Sequence, residues 1–120
     1  MRILLVDDEV ELVSTLAERL SLRGLDTDWA GSPADALDMV QRQRYDIAVL
    51  DMKMPKINGR ELMHTMQGHC PWMQFIFMSG QLSAAVLQGE THGGGGEKLC
   101  HLLKPVDIDV LIDTINRVAI

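Results

Sequence analysis

Residues 2–8 read Arg2-Ile3-Leu4-Leu5-Val6-Asp7-Asp8. Four aliphatic side chains in a row leave no wet face. The run therefore predicts a strand buried on both sides, as in a parallel sheet covered by helices. It ends in two acids, and open α/β sheets bind ligands beyond the carboxyl ends of their strands. This short stretch thus suggests both an architecture and the place to look for a site.

The same alternation continues along the chain. Glu9–Leu20 carries Val10, Val13, Leu16, Ala17 and Leu20 at helical spacing, and Gly24 ends that helix. Leu25, Thr27 and Trp29 alternate with Asp26 and Asp28, which predicts a second strand with one wetter face. Ser32-Pro33-Ala34-Asp35 supplies a capping hydroxyl, a proline at the first helical position and an acid at the third. Leu37 and Val40 of that helix point inward. Ile47–Leu50 is a third strand ending at Asp51, and Asn58-Gly59-Arg60-Glu61 opens a helix that buries Leu62 and Met66. Gln74–Met78 is a fourth strand, stopping at Ser79-Gly80. Leu82–Leu87 reads as a short helix, Leu99–Leu103 as a fifth strand ending at Lys104-Pro105, and Asp107–Val118 as the last helix. Short connections between strands this apolar imply right-handed crossovers and one five-stranded parallel sheet.

Composition bounds the function. The 120 residues make one domain, 1–120, and 11 Lys and Arg against 17 Asp and Glu leave a net charge of −6. That balance argues against the electrostatic grip that nucleic acid or an anionic membrane requires. No apolar run is long enough to span a bilayer and no signal peptide is expected ahead of the first strand. Two cysteines, Cys70 and Cys100, form neither a disulfide framework nor a CxxC pair, which suits a reducing cytoplasm.

Three carboxylates (Asp7, Asp8, Asp51), the Ser79 hydroxyl and the Lys104 ammonium all fall at the carboxyl ends of four strands. One aspartate after a strand is ordinarily a cap; five such groups on one sheet edge are a constellation. Two carboxylates ~4 Å apart repel by about 4 kcal/mol at an effective dielectric of about 20. A divalent cation relieves that repulsion, and hard carboxylate oxygens suit Mg²⁺. Beside a lysine and a hydroxyl, such a cation makes a clamp for a phosphoryl group.

Asp7-Asp8, Asp51 followed by Met52-Lys53-Met54-Pro55, Ser79-Gly80 and Lys104-Pro105 together resemble the receiver domain of two-component response regulators, over the whole chain and in order. The resemblance implies a flavodoxin-like, doubly wound (βα)5 fold. It implies that Asp51 is the phosphoacceptor, attacking a phosphohistidine of a sensor histidine kinase or phosphotransfer protein. Asp8, Asp51 and the backbone carbonyl of Lys53 would ligate Mg²⁺, with Asp7 acting through a bound water. Lys104 would pair with phosphoryl oxygens, Ser79 would swing toward them, and Pro105 would follow a cis peptide bond. The surface that responds in this family is built from the helix before the fifth strand, that strand and the last helix.

The sequence departs from the family at three points. His101 stands where the family places Tyr or Phe, three residues before the lysine, so an aromatic switch becomes either a passive half-buried residue or a pH-sensitive one. The segment before the fifth strand holds Gly89 and Gly93–Gly96, which predicts a short or frayed helix and a mobile loop. Lys53 and Gln81 stand two residues beyond Asp51 and Ser79, positions that the resemblance implies tune the lifetime of the acyl phosphate, with Lys53 either shielding it by charge or simply lying in solvent.

Other signals carry less. His64, His69, Cys70, Cys100 and His101 match no zinc-finger spacing, and Gly93–Lys98 lacks the glycine and hydroxyl residue of a P-loop. A hydrolase with an aspartate nucleophile would need an acid two residues on, where this chain has Lys53. A degenerate receiver that only binds partners is disfavoured by the complete acid set. Output is expected through a non-covalent partner or an effector domain of a longer regulator, with a homodimer as a further candidate assembly.

Overall fold

The computed structural model describes residues 1–55, 57–80 and 100–119. Five strands are present: β1 Arg2–Val6, β2 Asp26–Ala30, β3 Ile47–Asp51, β4 Gln74–Ser79 and β5 Cys100–Leu103. Four helices are described: α1 Val10–Leu22, α2 Pro33–Arg42, α3 Gly59–His69 and α4 Ile108–Val118. The expected helix at Leu82–Leu87, the loop at Gly93–Gly96, Gln81 and Leu99 lie outside the described residues.

All strand pairs are parallel, in the order β2-β1-β3-β4-β5. Strand order reverses between β1 and β3, and that switch point is where the crevice of a doubly wound sheet opens. Alternation along the strands divides the core. Leu4, Val6, Ala48, Leu50, Phe75 and Phe77 face α2 and α3, where they meet Ala36, Val40, Leu62, Met63 and Met66. Ile3, Leu5, Ile47, Val49, Ile76 and Met78 face α1 and α4, against Val13, Leu16, Leu20, Leu111 and Ile115. Both faces are dry, as the unbroken aliphatic runs require.

Local chemistry sets the helix ends. Beyond α1, Gly24 takes φ 86°, the Gly24 amide donates to the Ser21 carbonyl at 3.0 Å, and the Leu25 amide donates to that of Leu20 at 3.1 Å. This paired closure needs a residue tolerant of positive φ. The Ser32 hydroxyl caps α2 by accepting from the Asp35 amide at 3.1 Å. Asn58 and Glu61 form a reciprocal pair at the head of α3: the Glu61 amide donates to Asn58 at 2.8 Å, and Asn58 Nδ2 donates to Glu61 Oε1 at 2.9 Å.

Two tryptophans meet solvent, Trp29 against the alternation of its strand and Trp72 at a loop edge after Pro71. Trp29 is 39% exposed, because β2 is an edge strand and its helical cover runs out there. Trp72 is also solvent-facing yet tied down: its indole N–H donates to the Tyr45 carbonyl at 3.0 Å, and Arg44 lies over its ring at 4.5 Å. Buried Tyr45 in turn donates its hydroxyl to Asp28 at 2.7 Å. These contacts, with Arg2 bonded to Gln43 and paired with Asp26 and Asp28, knit the amino-terminal end of the sheet. The opposite end is left for chemistry.

Candidate functional site

β1 delivers Asp7 and Asp8 to the carboxyl edge, and β3 delivers Asp51 beside them across the switch point. Asp7 is fully buried and Asp51 nearly so, whereas Asp8 is exposed. One ligand oxygen of each lies within 4.8 Å of those of the other two, the one such cluster among the described residues. No corresponding group forms from His64, His69 and Cys70. Both histidines are exposed and Cys70 is buried at the end of α3.

Lys104 reaches this cluster from the end of β5. Its ammonium stands 2.6 Å from Asp7 Oδ2, 3.2 Å from Glu9 Oε1 and 3.4 Å from Asp51 Oδ2. The Lys104 amide donates to the Ser79 carbonyl at 2.8 Å, which fixes the approach of the side chain. The Lys104-Pro105 peptide is cis, as the resemblance implied.

Asp7 does two jobs. Oδ1 accepts from the Glu9 amide at 2.9 Å, the turn role that a lone aspartate commonly plays before a helix. Oδ2 is buried and paired with the Lys104 ammonium at 2.6 Å. Asp51 Oδ1 accepts from the Lys53 amide at 3.3 Å, and Oδ2 faces the lysine.

Burial and the charge of Asp7 push the Asp51 carboxyl up to about 6, although Lys104 and the Lys53 amide pull the other way. For Lys104, burial alone would lower the value, but Asp7, Glu9 and Asp51 outweigh it and raise the ammonium to about 12. The lysine is therefore a fixed positive charge, and Asp51 is an unusually basic carboxylate. The three aspartates and one lysine sum to −2. Three carboxylate oxygens within 4.8 Å of one another, hard donors and an excess of negative charge fit a hard divalent cation.

The backbone beside Asp51 is just as constrained. Gly59 opens α3 directly against it: a Cβ there would lie 2.5 Å from the Asp51 carbonyl oxygen. The Gly59 amide donates to the Met52 carbonyl at 3.1 Å. Only glycine permits so close an approach.

Ser79 is buried at the end of β4, one residue past the Met78 partner of Asp51. His101 is half-buried on β5, beside Phe77 in register, and the two rings stack with centroids 5.2 Å apart. The Lys53 side chain is exposed, so only its backbone joins the site. Glu9 is the member that reading the motifs passed over. It directly follows the acid pair, but its claim on Lys104 spans 95 positions.

A doubly wound α/β sheet with acids and a lysine gathered at its switch point places the site where such sheets bind ligands. The chain belongs to the response regulator receiver domain family, whose model matches residues 3–116. It is 31% identical over 116 residues to sporulation initiation phosphotransferase F of Bacillus subtilis, covering 97% of this chain and 91% of that protein. It is 30% identical over 110 residues to the transcriptional regulatory protein AlgB of Pseudomonas syringae pv. tomato, covering 92% of this chain but 24% of that one. The response regulator TrrA of Thermotoga maritima, solved in complex with Mg²⁺ and BeF, superposes with a TM-score of 0.78 at 25% identity, over 97% of this chain and 96% of that one. The chain is thus a flavodoxin-like receiver domain, a signalling unit of two-component regulation.

Proposed function

We propose that this domain takes a phosphoryl group from the phosphohistidine of a sensor histidine kinase or phosphotransfer protein onto Asp51. The observation that carries this is the placement of Lys104 Nζ between buried Asp7 and Asp51, at 2.6 and 3.4 Å, on the crevice edge of the sheet. Asp51 Oδ2 is the nucleophile. Its attack forms a phosphorus–oxygen bond as the phosphorus–nitrogen bond of the donor breaks, and the electron pair leaves on the imidazole nitrogen, which takes up a proton. Burial has already removed much of the water that would blunt that oxygen.

Mg²⁺ would be held by Asp8, Asp51 and the Lys53 carbonyl, with Asp7 acting through water; when bound it supplies positive charge for the transferring phosphoryl oxygens. Lys104 contributes a second positive charge on the other side and remains protonated throughout. Ser79, one residue beyond the strand partner of Asp51, is the hydroxyl that turns to the new group, and His101 is the ring whose packing on Phe77 would adjust with it. The exposed Lys53 side chain shields the product from water or leaves it open. The domain catalyses its own phosphorylation and dephosphorylation and no turnover of other substrates.

Downstream, the domain acts on a non-covalent partner or on an effector domain of a longer regulator, in the cytoplasm, without binding nucleic acid or membrane itself. No described helix is long and apolar enough to cross a membrane. Incubation with Mg²⁺ and acetyl phosphate, followed by intact mass, tests the assignment. One added phosphoryl group in the wild type, absent in Asp51→Asn, supports it. No addition in the wild type, or addition that survives Asp51→Asn, overturns it.

A further inference from the structure

Lys104 is shared among three carboxylates, and they are not equivalent. Asp7 is fully buried and Asp51 is 6% exposed at its side chain, but Glu9 is 63% exposed. An ammonium has three N–H donors. It donates to Glu9 Oε1 at 3.2 Å and stands 2.6 Å from Asp7 Oδ2 and 3.4 Å from Asp51 Oδ2, and of these three contacts only the one to Glu9 faces solvent. A phosphoryl group arriving on Asp51 needs one of those donors. The contact that water can most readily replace is the exposed one, because solvent screens it and rehydrates the released carboxylate.

We propose that Glu9 is a positioning residue that tethers the Lys104 ammonium in the unphosphorylated domain and gives it up to the phosphoryl group on Asp51. This rests on Asp51 as the phosphoacceptor. In the resting state the tether occupies one of the donors that the phosphoryl group needs. Release of Glu9 then belongs to the cost of phosphorylation. Among the described residues the Glu9 side chain bonds to this lysine alone, while its backbone bonds Asp7 Oδ1 and caps α1, so its side chain is dispensable to the described fold.

Two substitutions separate a tether from mere repulsion of an anionic phosphodonor. Glu9→Ala removes both reach and charge; Glu9→Asp keeps the charge but shortens the reach by one methylene. The initial rate of acetyl phosphate labelling at saturating Mg²⁺ should rise about two- to five-fold in both variants, the size expected for losing one exposed charged contact. The Lys104 ammonium resonance, followed by ¹⁵N NMR in EDTA without phosphodonor, should shift alike in both. Wild-type rates in Glu9→Ala, or a slowed rate in either variant, overturn the tether. So does a fast Glu9→Ala beside an unchanged Glu9→Asp, which would leave only charge repulsion. If the wild type itself takes no phosphoryl group on Asp51, the phosphoacceptor reading fails first; if it labels normally and the variants follow it, only the tether fails.

Discussion

Replacing Asp51 by asparagine should stabilise the metal-free domain at neutral pH. Its carboxyl lies about two pH units above an ordinary 3.8, at about 6, chiefly because burial strips it of water and Asp7 opposes its charge. At about 1.4 kcal/mol per pH unit, holding it ionised in the folded state costs about 3 kcal/mol. Between pH 3.8 and about 6 the folded protein keeps a proton that the unfolded chain has released, so stability falls as pH rises through that window. Above it the full penalty applies. Asparagine imitates the neutral form and escapes it. For a chain of 120 residues, 3 kcal/mol corresponds to roughly 10 °C in melting temperature. Thermal unfolding in EDTA at pH 7.5 should show Asp51→Asn melting higher by about that amount, with the gap closing below about pH 4. A variant no more stable than the wild type at pH 7.5, or a gap that persists in acid, would refute the account of Asp51 as a carboxylate held charged against its surroundings.

Saturating Mg²⁺ should raise the melting temperature of the wild type, by about 2.7 kcal/mol of stability at one hundred times Kd. Asp8→Ala should abolish that response while melting normally in EDTA, because Asp8 is exposed and the Asp7–Lys104 pair stays intact. Gly59→Ala should cost about 1–3 kcal/mol in urea unfolding and slow acetyl phosphate labelling, since its methyl group would collide with the Asp51 carbonyl. Trp72→Phe should lose about 1 kcal/mol through the missing indole hydrogen bond, with labelling unaltered.

Much of this was readable from one line of sequence because β1 and β3 announce themselves twice. Ile3-Leu4-Leu5-Val6 and Ile47-Ala48-Val49-Leu50 are uniformly apolar, and each ends in the acid that matters. With these strands laid in one parallel sheet, the ends of β1, β3 and β5 bring Asp7, Asp8, Asp51 and Lys104 to the same side. Contacts that depend on side-chain reach were not readable. Glu9 looked like one more acid in a helix start, because its partner stands at the far end of the chain. Trp29 has the pattern of an inward residue, and only the position of β2 at the sheet edge leaves it wet. Trp72 follows Pro71 at a loop edge, and its anchor is a carbonyl 27 positions upstream. Periodicity reports which face a residue occupies and says nothing of what waits there.

Gly59 sits where a helix and a strand end touch with no side chain between them. Such a joint has no cushion: backbone bears directly on backbone, and the Gly59 amide is bonded to the residue just after the acid. The first turn of that helix and the tip of the third strand are therefore coupled like meshed teeth. Protection of one amide, at Gly59, should consequently register any displacement at the chemical centre, giving a native, label-free gauge of the domain's state.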